Sequence, residues 1–245
     1  MKTNETNYFK NMDALIGMAN IPTGVVDLVL TDPPYGIADK AKLTKVGNKI
    51  VSNEEAWGND FQDKWATVDE YYEWLKGFVG EFVRVLNDEG SMILFLDRKY
   101  TGLITHRLEE DFNLRFRNKV YFCKTNPVPG IRKVNYRSAV EEAIWLTKGN
   151  KYTFNFGEQR DMTQVYSGSI GRKATKHPTE KYTWMVEPLI KNHTNPGDLV
   201  LDPFAGSGAI LSVARTNDRS VIGFEKNPEF YGMARSRSAV AKLSI

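Results

Sequence analysis

The sequence predicts an α/β fold, a mostly parallel sheet with helices on both faces, from three observations. Short apolar runs at 27–31 (DLVLT) and 91–96 (SMILFL) have the length and continuity of strands buried on both sides. Segments of helical period lie between such runs, the alternation expected of βαβ units. A strand over 199–201 leads directly into Asp202-Pro203-Phe204-Ala205-Gly206-Ser207-Gly208, a glycine-rich turn that opens a helix.

Taken in order, the first run ends at Asp32-Pro33-Pro34-Tyr35, where two prolines stop the strand. Residues 37–66 are polar, with Lys40, Lys42, Lys45 and Lys49 and little periodicity, and form a candidate mobile loop. Thr67-Val68-Asp69-Glu70 fits a capping box. Behind it Tyr71, Trp74, Leu75, Phe78, Phe82 and Leu86 recur at helical spacing, which predicts an amphipathic helix over 68–86. Residues 87–90 read as its end, 91–96 as a strand and 101–110 as a helix. Strands at 119–123 and 143–147 flank a basic, proline-containing loop at 124–138. The stretch 151–176 is polar, rich in Gly, Ser and Thr, and shows no period. A helix at 181–191, a turn at 195–198, a helix at 209–216, a strand at 220–224 and a last helix at 228–240 complete the chain. No repeat or linker divides it, so residues 1–245 read as one domain.

Hydrophobic residues make up 41% of the chain and charged ones 26%, a balance that supports a folded core. No stretch approaches the roughly 20 apolar residues of a bilayer span. The first ten residues lack the apolar run of a signal peptide, and Cys123 is the one cysteine, so no internal disulfide forms. A cytoplasmic location is the resulting expectation. The net charge of +3 permits nucleic acid as a partner without requiring it. Between residues 98 and 137, however, ten Lys or Arg stand against three acids, a basic stretch that also fits a plain solvated face. His106 and His193 have no Cys or acid at metal-ligand spacing, so no metal site is expected. Cys123, inside a predicted strand, reads as a small core residue, and Trp74 reads as core. Trp57 and Trp65 fit either contact with a nucleic acid or folding of the loop.

Two motifs carry chemistry. The turn at Gly206 and Gly208 lets backbone approach a ligand closely, and the next strand ends in Glu225, 23 residues after Asp202. A carboxylate there can accept hydrogen bonds from two ribose hydroxyls. The Gly-x-Gly-x-x-Gly spacing of a pyrophosphate site is absent, so a ligand with ribose and no phosphates fits better than a dinucleotide. At Asp32-Pro33-Pro34-Tyr35 the prolines remove two N–H donors and hold rigid carbonyl acceptors beside a carboxylate. Two fixed acceptors can bind the hydrogens of an exocyclic amine and aim its lone pair at an electrophile, a preorganised polar arrangement. Tyr35 adds a flat face for a base taken out of a duplex. Singly, each motif also fits an ordinary turn.

Together, and in this order some 170 residues apart, the two motifs resemble the amino-methylating DNA methyltransferases of the permuted β class. That resemblance covers nearly the whole chain. It implies a Rossmann-like seven-stranded methyltransferase sheet with one antiparallel strand and a permuted motif order. It also implies S-adenosylmethionine as cofactor. Residues 11–15 are similar to the family's segment before the catalytic strand, which makes Asp13 a contact for the cofactor adenine. His177-Pro178-Thr179-Glu180-Lys181 is similar to the segment whose Thr and Lys hold the methionine carboxylate, which assigns Thr179 and Lys181. Asp202, Phe204, Ala205, Gly206 and Gly208 match the glycine-turn motif and Glu225 the ribose acid. Residues 120–124 and 141–148 (EEAIWLTK) resemble late sheet strands. Two positions depart from the pattern, Tyr182 where proline is usual and Met12 where glycine is common; neither removes a functional side chain.

The implied reaction is methyl transfer to N6 of a flipped adenine in double-stranded DNA. Asp32, Pro33, Pro34 and Tyr35 form the catalytic site, and the protein acts as a monomer or homodimer. Adenine is preferred to cytosine N4 because the family's cytosine members more often begin the tetrad with Ser. In the permuted class the recognition segment falls here at 150–176, a small candidate insertion with Arg160, Tyr166, Arg172, Lys173 and Lys176. Lys124, Arg132, Lys133 and Arg137 of the basic loop are the candidate phosphate contacts. The rival readings are the same chemistry on RNA or on a protein side-chain amide, and a non-enzymatic DNA-binding subunit.

Overall fold

The structure, a computed structural model, describes residues 7–35, 43–46, 49–52, 65–130, 133–171, 174–175 and 180–243. Among the described residues the strands are β1 (Tyr8–Asn11), β2 (Val26–Thr31), β3 (Leu43–Val46), β4 (Lys49–Ser52), β5 (Leu86–Phe95), β6 (Arg115–Lys124), β7 (Val140–Thr147), β8 (Val165–Gly168), β9 (Leu199–Asp202) and β10 (Ser220–Glu225). Eight of them form one sheet in the order β1-β10-β9-β2-β5-β7-β6-β8, and β3 and β4 form a separate antiparallel hairpin. β7 runs antiparallel to both neighbours, while every other pairing in the large sheet is parallel.

Helices cover both faces. On one lie α1 (Ala14–Met18), α2 (Val68–Val85) and α3 (Thr101–Phe112). The other carries α4 (Thr183–His193), α5 (Ala209–Thr216), α6 (Pro228–Arg235) and α7 (Ser238–Ala241). Both faces are therefore apolar, and the strands divide their side chains between them with period two. In β5, Met92 and Leu94 join the first core while Ile93 and Phe95 join the second. This two-sided burial is why the strand runs read as unbroken apolar stretches.

α2 forms where the capping residues and the apolar spacing agree. Thr67 accepts from the Glu70 N–H at 3.1 Å, and the Glu70 carboxylate reaches back to the Ala66 N–H at 2.8 Å. Tyr71, Leu75, Phe78 and Phe82 are buried on its inner face. The helix passes into β5 without the turn expected at 87–90, since Leu86 already pairs with Val26 across a register shift. Gly90 sits in that irregularity, where a Cβ would lie 2.6 Å from Leu86 Cδ1 and 3.0 Å from the Asp27 carbonyl oxygen.

Three other elements differ from expectation. The large sheet has eight strands instead of seven, because 151–176 supplies the edge strand β8, paired parallel to β6. Its signal is weak because no residue of β8 is fully buried. Gly168 at its end is required by Trp184, whose ring would lie 2.3 Å from a Cβ. The last helix is broken at 236–237, where Arg237 turns extended and its guanidinium donates to the Ser207 carbonyl at 2.6 Å. Within the loop 37–66 the described residues include the β3–β4 hairpin, and most of the rest, with Trp57, lies outside the described residues. Among the described residues no helix is long and apolar enough to cross a membrane, and no cluster of three or more metal-ligating side chains occurs. His193 is buried against Trp145 and Phe154, and burial pushes its pKa down to about 3.

Candidate active site

Parallel strands place ligands beyond their carboxyl ends, and here β2, β9 and β10 end side by side in Thr31, Asp202 and Glu225. The two sequence motifs meet at this edge. Thr31, one residue before the proline turn, donates its hydroxyl to Asp202 Oδ1 at 2.7 Å in the buried interior. The Phe204 N–H approaches the same oxygen at 3.3 Å. Burial dominates the Asp202 carboxyl and pushes it up to about 7.

The glycine turn needs its glycines. Gly206 and Gly208 have φ of 49° and 69°, and a Cβ on Gly208 would stand 2.9 Å from the Ala234 Cβ. Ala205 is tied to the next strand by its N–H to the Phe224 carbonyl at 2.9 Å. Glu225 accepts from the Gly206 N–H through Oε2 at 2.8 Å and from the Asn227 N–H through Oε1 at 2.7 Å. These backbone donors, with the Lys226 N–H, do not exhaust the carboxylate's acceptor sites. Burial raises the Glu225 pKa, and those N–H groups work against the rise. Asp13 caps α1 by accepting from the Leu15 N–H at 2.9 Å, and the neighbouring Met12 N–H donates to the Glu225 carbonyl at 3.1 Å. Phe204 packs against Phe78 and Trp74, with ring centroids 4.9 and 5.7 Å apart. Asp13, Phe204, the glycine turn and Glu225 thus share one edge of the sheet, as a ribose-bearing ligand requires.

An ion-pair chain runs beside them. Both oxygens of Asp32 are engaged, Oδ1 by the Tyr35 hydroxyl and Oδ2 by the Lys181 ammonium at 2.8 Å. Lys181 also reaches Glu141 Oε2 at 2.9 Å and stands 4.6 Å from the centre of the Phe95 ring. Glu141 Oε1 in turn receives Lys124 at 2.6 Å. Burial raises the Asp32 pKa, with Lys181 opposing. Burial also works to raise Glu141, but Lys181 and Lys124 outweigh it and hold that carboxyl down at about 2. Lys181 loses stability as a cation by burial, yet Asp32 and Glu141 more than compensate and raise its pKa. Burial pushes the Tyr35 hydroxyl well above its usual value, as does the charge of Asp32.

The remaining expected residues are placed differently. The Lys181 ammonium lies on Asp32 and Glu141, toward the proline turn. Lys124 points inward to Glu141, so its charge is committed to an ion pair instead of facing a phosphate. Lys133 and Arg137 are exposed on the basic loop, Arg137 donating to the Pro127 carbonyl at 3.3 Å. Arg160 is exposed near Asp161. Thr179, Arg132, Arg172, Lys173 and Lys176 lie outside the described residues. Two acids lie in segments that carry the resemblance but have no role assigned from sequence: Glu141, at the start of the 141–148 run, and Glu180, which accepts from the Ala174 and Thr175 N–H groups and pairs with Arg237 at 2.9 Å.

Asp202→Asn is expected to keep the Thr31 bond and remove a buried charge. The folded pKa of about 7 lies above the ordinary 3.8. The fold therefore favours the protonated acid, a contribution present below pH 4 and lost as pH rises through 7. Thermal melts are expected to show the variant several degrees more stable at pH 8, with the difference shrinking towards pH 5. A constant difference across that range would contradict a buried acid of raised pKa.

A family profile described as DNA methylase, covering N6 and N4 methyltransferases, matches residues 26–236 of this chain. The chain is 29% identical to the Type II methyltransferase M.HinfI of Haemophilus influenzae, over 97% of this chain and 70% of that protein. It is 27% identical to the Type II methyltransferase M2.DpnII of Streptococcus pneumoniae, over 86% of this chain and 82% of that one. Among solved structures it superposes on the M1.HpyAVI complex with S-adenosylmethionine with a TM-score of 0.71 and 24% identity, covering 94% and 98% of the two chains. The PvuII cytosine-N4-specific DNA methyltransferase gives a TM-score of 0.75 at 20% identity, covering 94% and 85%. At these identities the superpositions speak for the fold.

Proposed function

The chain belongs to the DNA methylase family of N6 and N4 methyltransferases, and from that premise we propose that it methylates N6 of a flipped adenine in duplex DNA. S-adenosylmethionine is the cofactor of such a DNA methyltransferase; when bound, it supplies an electrophilic methyl on a sulfonium. The residues present fit it. Glu225 keeps acceptor capacity for ribose hydroxyls, Asp13 follows Met12, whose N–H bonds the Glu225 carbonyl, and Gly206 and Gly208 hold the turn at positive φ. Asp32 and the Pro33 carbonyl accept the hydrogens of the target amine, Pro34 keeps the turn rigid, and Tyr35 offers its ring to the base. Entry of the amine requires the Tyr35 hydroxyl to leave or share Asp32 Oδ1.

The observation that carries this reading is the bond from Thr31 to Asp202, which locks the proline turn against the glycine turn at one sheet edge. The choice of adenine rests on the acid at position 32, since cytosine members of the family more often have Ser there. A second reading, cytosine N4, falls within the same family, whose profile covers both N6 and N4 methyltransferases. Lys133 and Arg137 are the described candidates for phosphate contact, with Arg160, Arg172, Lys173 and Lys176 as candidate readers of sequence. Much of 150–176 is built into the fold, since Tyr152 and Phe154 pack on the core and β8 joins the sheet. What is left for recognition is short, so a short target site is expected. Methylation-sensitive sequencing of DNA from cells expressing the protein is expected to show N6-methyladenine at one short motif. N4-methylcytosine would establish the second reading, and methyl transfer to RNA in place of duplex DNA would overturn both.

A further inference from the structure

We propose that Glu141 is a positioning residue of the methyl-transfer site, holding the Lys181 ammonium on Asp32 so that the acceptor carboxylate is oriented before the target amine enters. The inference rests on the function proposed above. Glu141 stands at the start of β7, the antiparallel strand, whose first residues face the same edge as the end of β2. From there it reaches Lys181 at 2.9 Å and Lys124 at 2.6 Å, one lysine per carboxylate oxygen. The order Lys124, Glu141, Lys181, Asp32 alternates in sign and leaves each inner group with two partners of its own. An ammonium has three N–H donors; two of Lys181's go to the carboxylates, with the Tyr35 hydroxyl at 3.5 Å. With Asp32 as its single carboxylate, Lys181 would keep its long side chain free to swing about that oxygen. The second anchor removes this freedom, and a carboxylate pinned through Oδ2 presents Oδ1 in a fixed direction. Buried pairs of this kind contribute orientation more dependably than stability.

Glu141 acts through Lys181, to which it is bonded, so its removal is expected to act on rate more than on binding. Glu141→Gln keeps shape and loses charge. In single-turnover transfer of tritiated methyl to duplex DNA it is expected to lower the rate constant roughly 10–100-fold, with DNA and S-adenosylmethionine affinities within about twofold of wild type. In a Lys181→Met background the same substitution is expected to cost nothing further, because the residue it acts through is gone. Lys124→Met removes the other partner of Glu141 and is expected to give the same split at smaller amplitude, which keeps the test open should the glutamine variant not fold. Wild-type rate in Glu141→Gln or Lys124→Met, or losses that add in the double variant, would overturn the assignment while leaving the function intact. A wild-type protein that transfers no methyl to DNA would overturn the function, and the assignment with it.

Discussion

Replacing Asp32 with alanine is expected to reduce methyl transfer by on the order of 10^2–10^3-fold, with cofactor affinity changed about threefold or less. The acid supplies one of the two fixed acceptors for the target amine, and the Pro33 carbonyl alone does not set the direction of the nitrogen lone pair. Its partner Lys181 keeps Glu141 at 2.9 Å, so the lysine is not left without a counter-charge and the fold is expected to survive. Asp32→Asn separates charge from geometry. It retains one oxygen acceptor and loses the attraction to Lys181, and an intermediate rate is expected. Single-turnover rates alongside cofactor titration and thermal melts check these outcomes. An Asp32→Ala protein that methylates at the wild-type rate would remove the proline turn from the mechanism.

Lys181→Met is expected to have the largest effect on stability. Asp32 and Glu141 would then face one another across a buried site with Lys124 as the described cation beside Glu141. Removing one partner from a buried pair costs about 3–5 kcal/mol. For a chain of this size that corresponds to a fall in Tm on the order of 10 °C. The sign of the pH effect follows from the same contacts. Burial raises the Asp32 pKa and Lys181 lowers it, so loss of the lysine raises it further. The acid limb of the methylation rate is therefore expected to move to higher pH, and the stability deficit is expected to narrow as pH falls and the carboxylates take up protons. Equal melting curves for variant and wild type across pH 5–8 would show that Lys181 does not bridge the two acids.

Glu225 and the glycine turn show which parts of the site are legible in a sequence. Gly206 and Gly208 are needed for positive φ and close approach, and prolines 33 and 34 stop β2; each is a local backbone demand that only one residue type meets well. Glu225 was found because it ends the strand after the turn, at a spacing that βαβ geometry dictates. The same holds for α2, whose caps and apolar stripe coincide. β8 is four residues long and half exposed, and has no apolar run to mark it in the sequence. The break before α7 leaves no local signal, because Arg237 reaching the Ser207 carbonyl is a contact between distant residues.

The α/β class, the strands buried on both faces, the two turns and their order can all be read along the chain. Those depend on neighbours along the chain, through φ restrictions and periodic burial. The distribution of charge at the site arises from contacts between segments far apart in the chain. The same three residue types, Lys, Glu and Asp, would read as solvated anywhere else, and no spacing links positions 32, 124, 141 and 181. They act together because β2, β6, β7 and the segment before α4 converge at one sheet edge. There, burial drives the charges into pairs with one another, with the Tyr35 hydroxyl on Asp32.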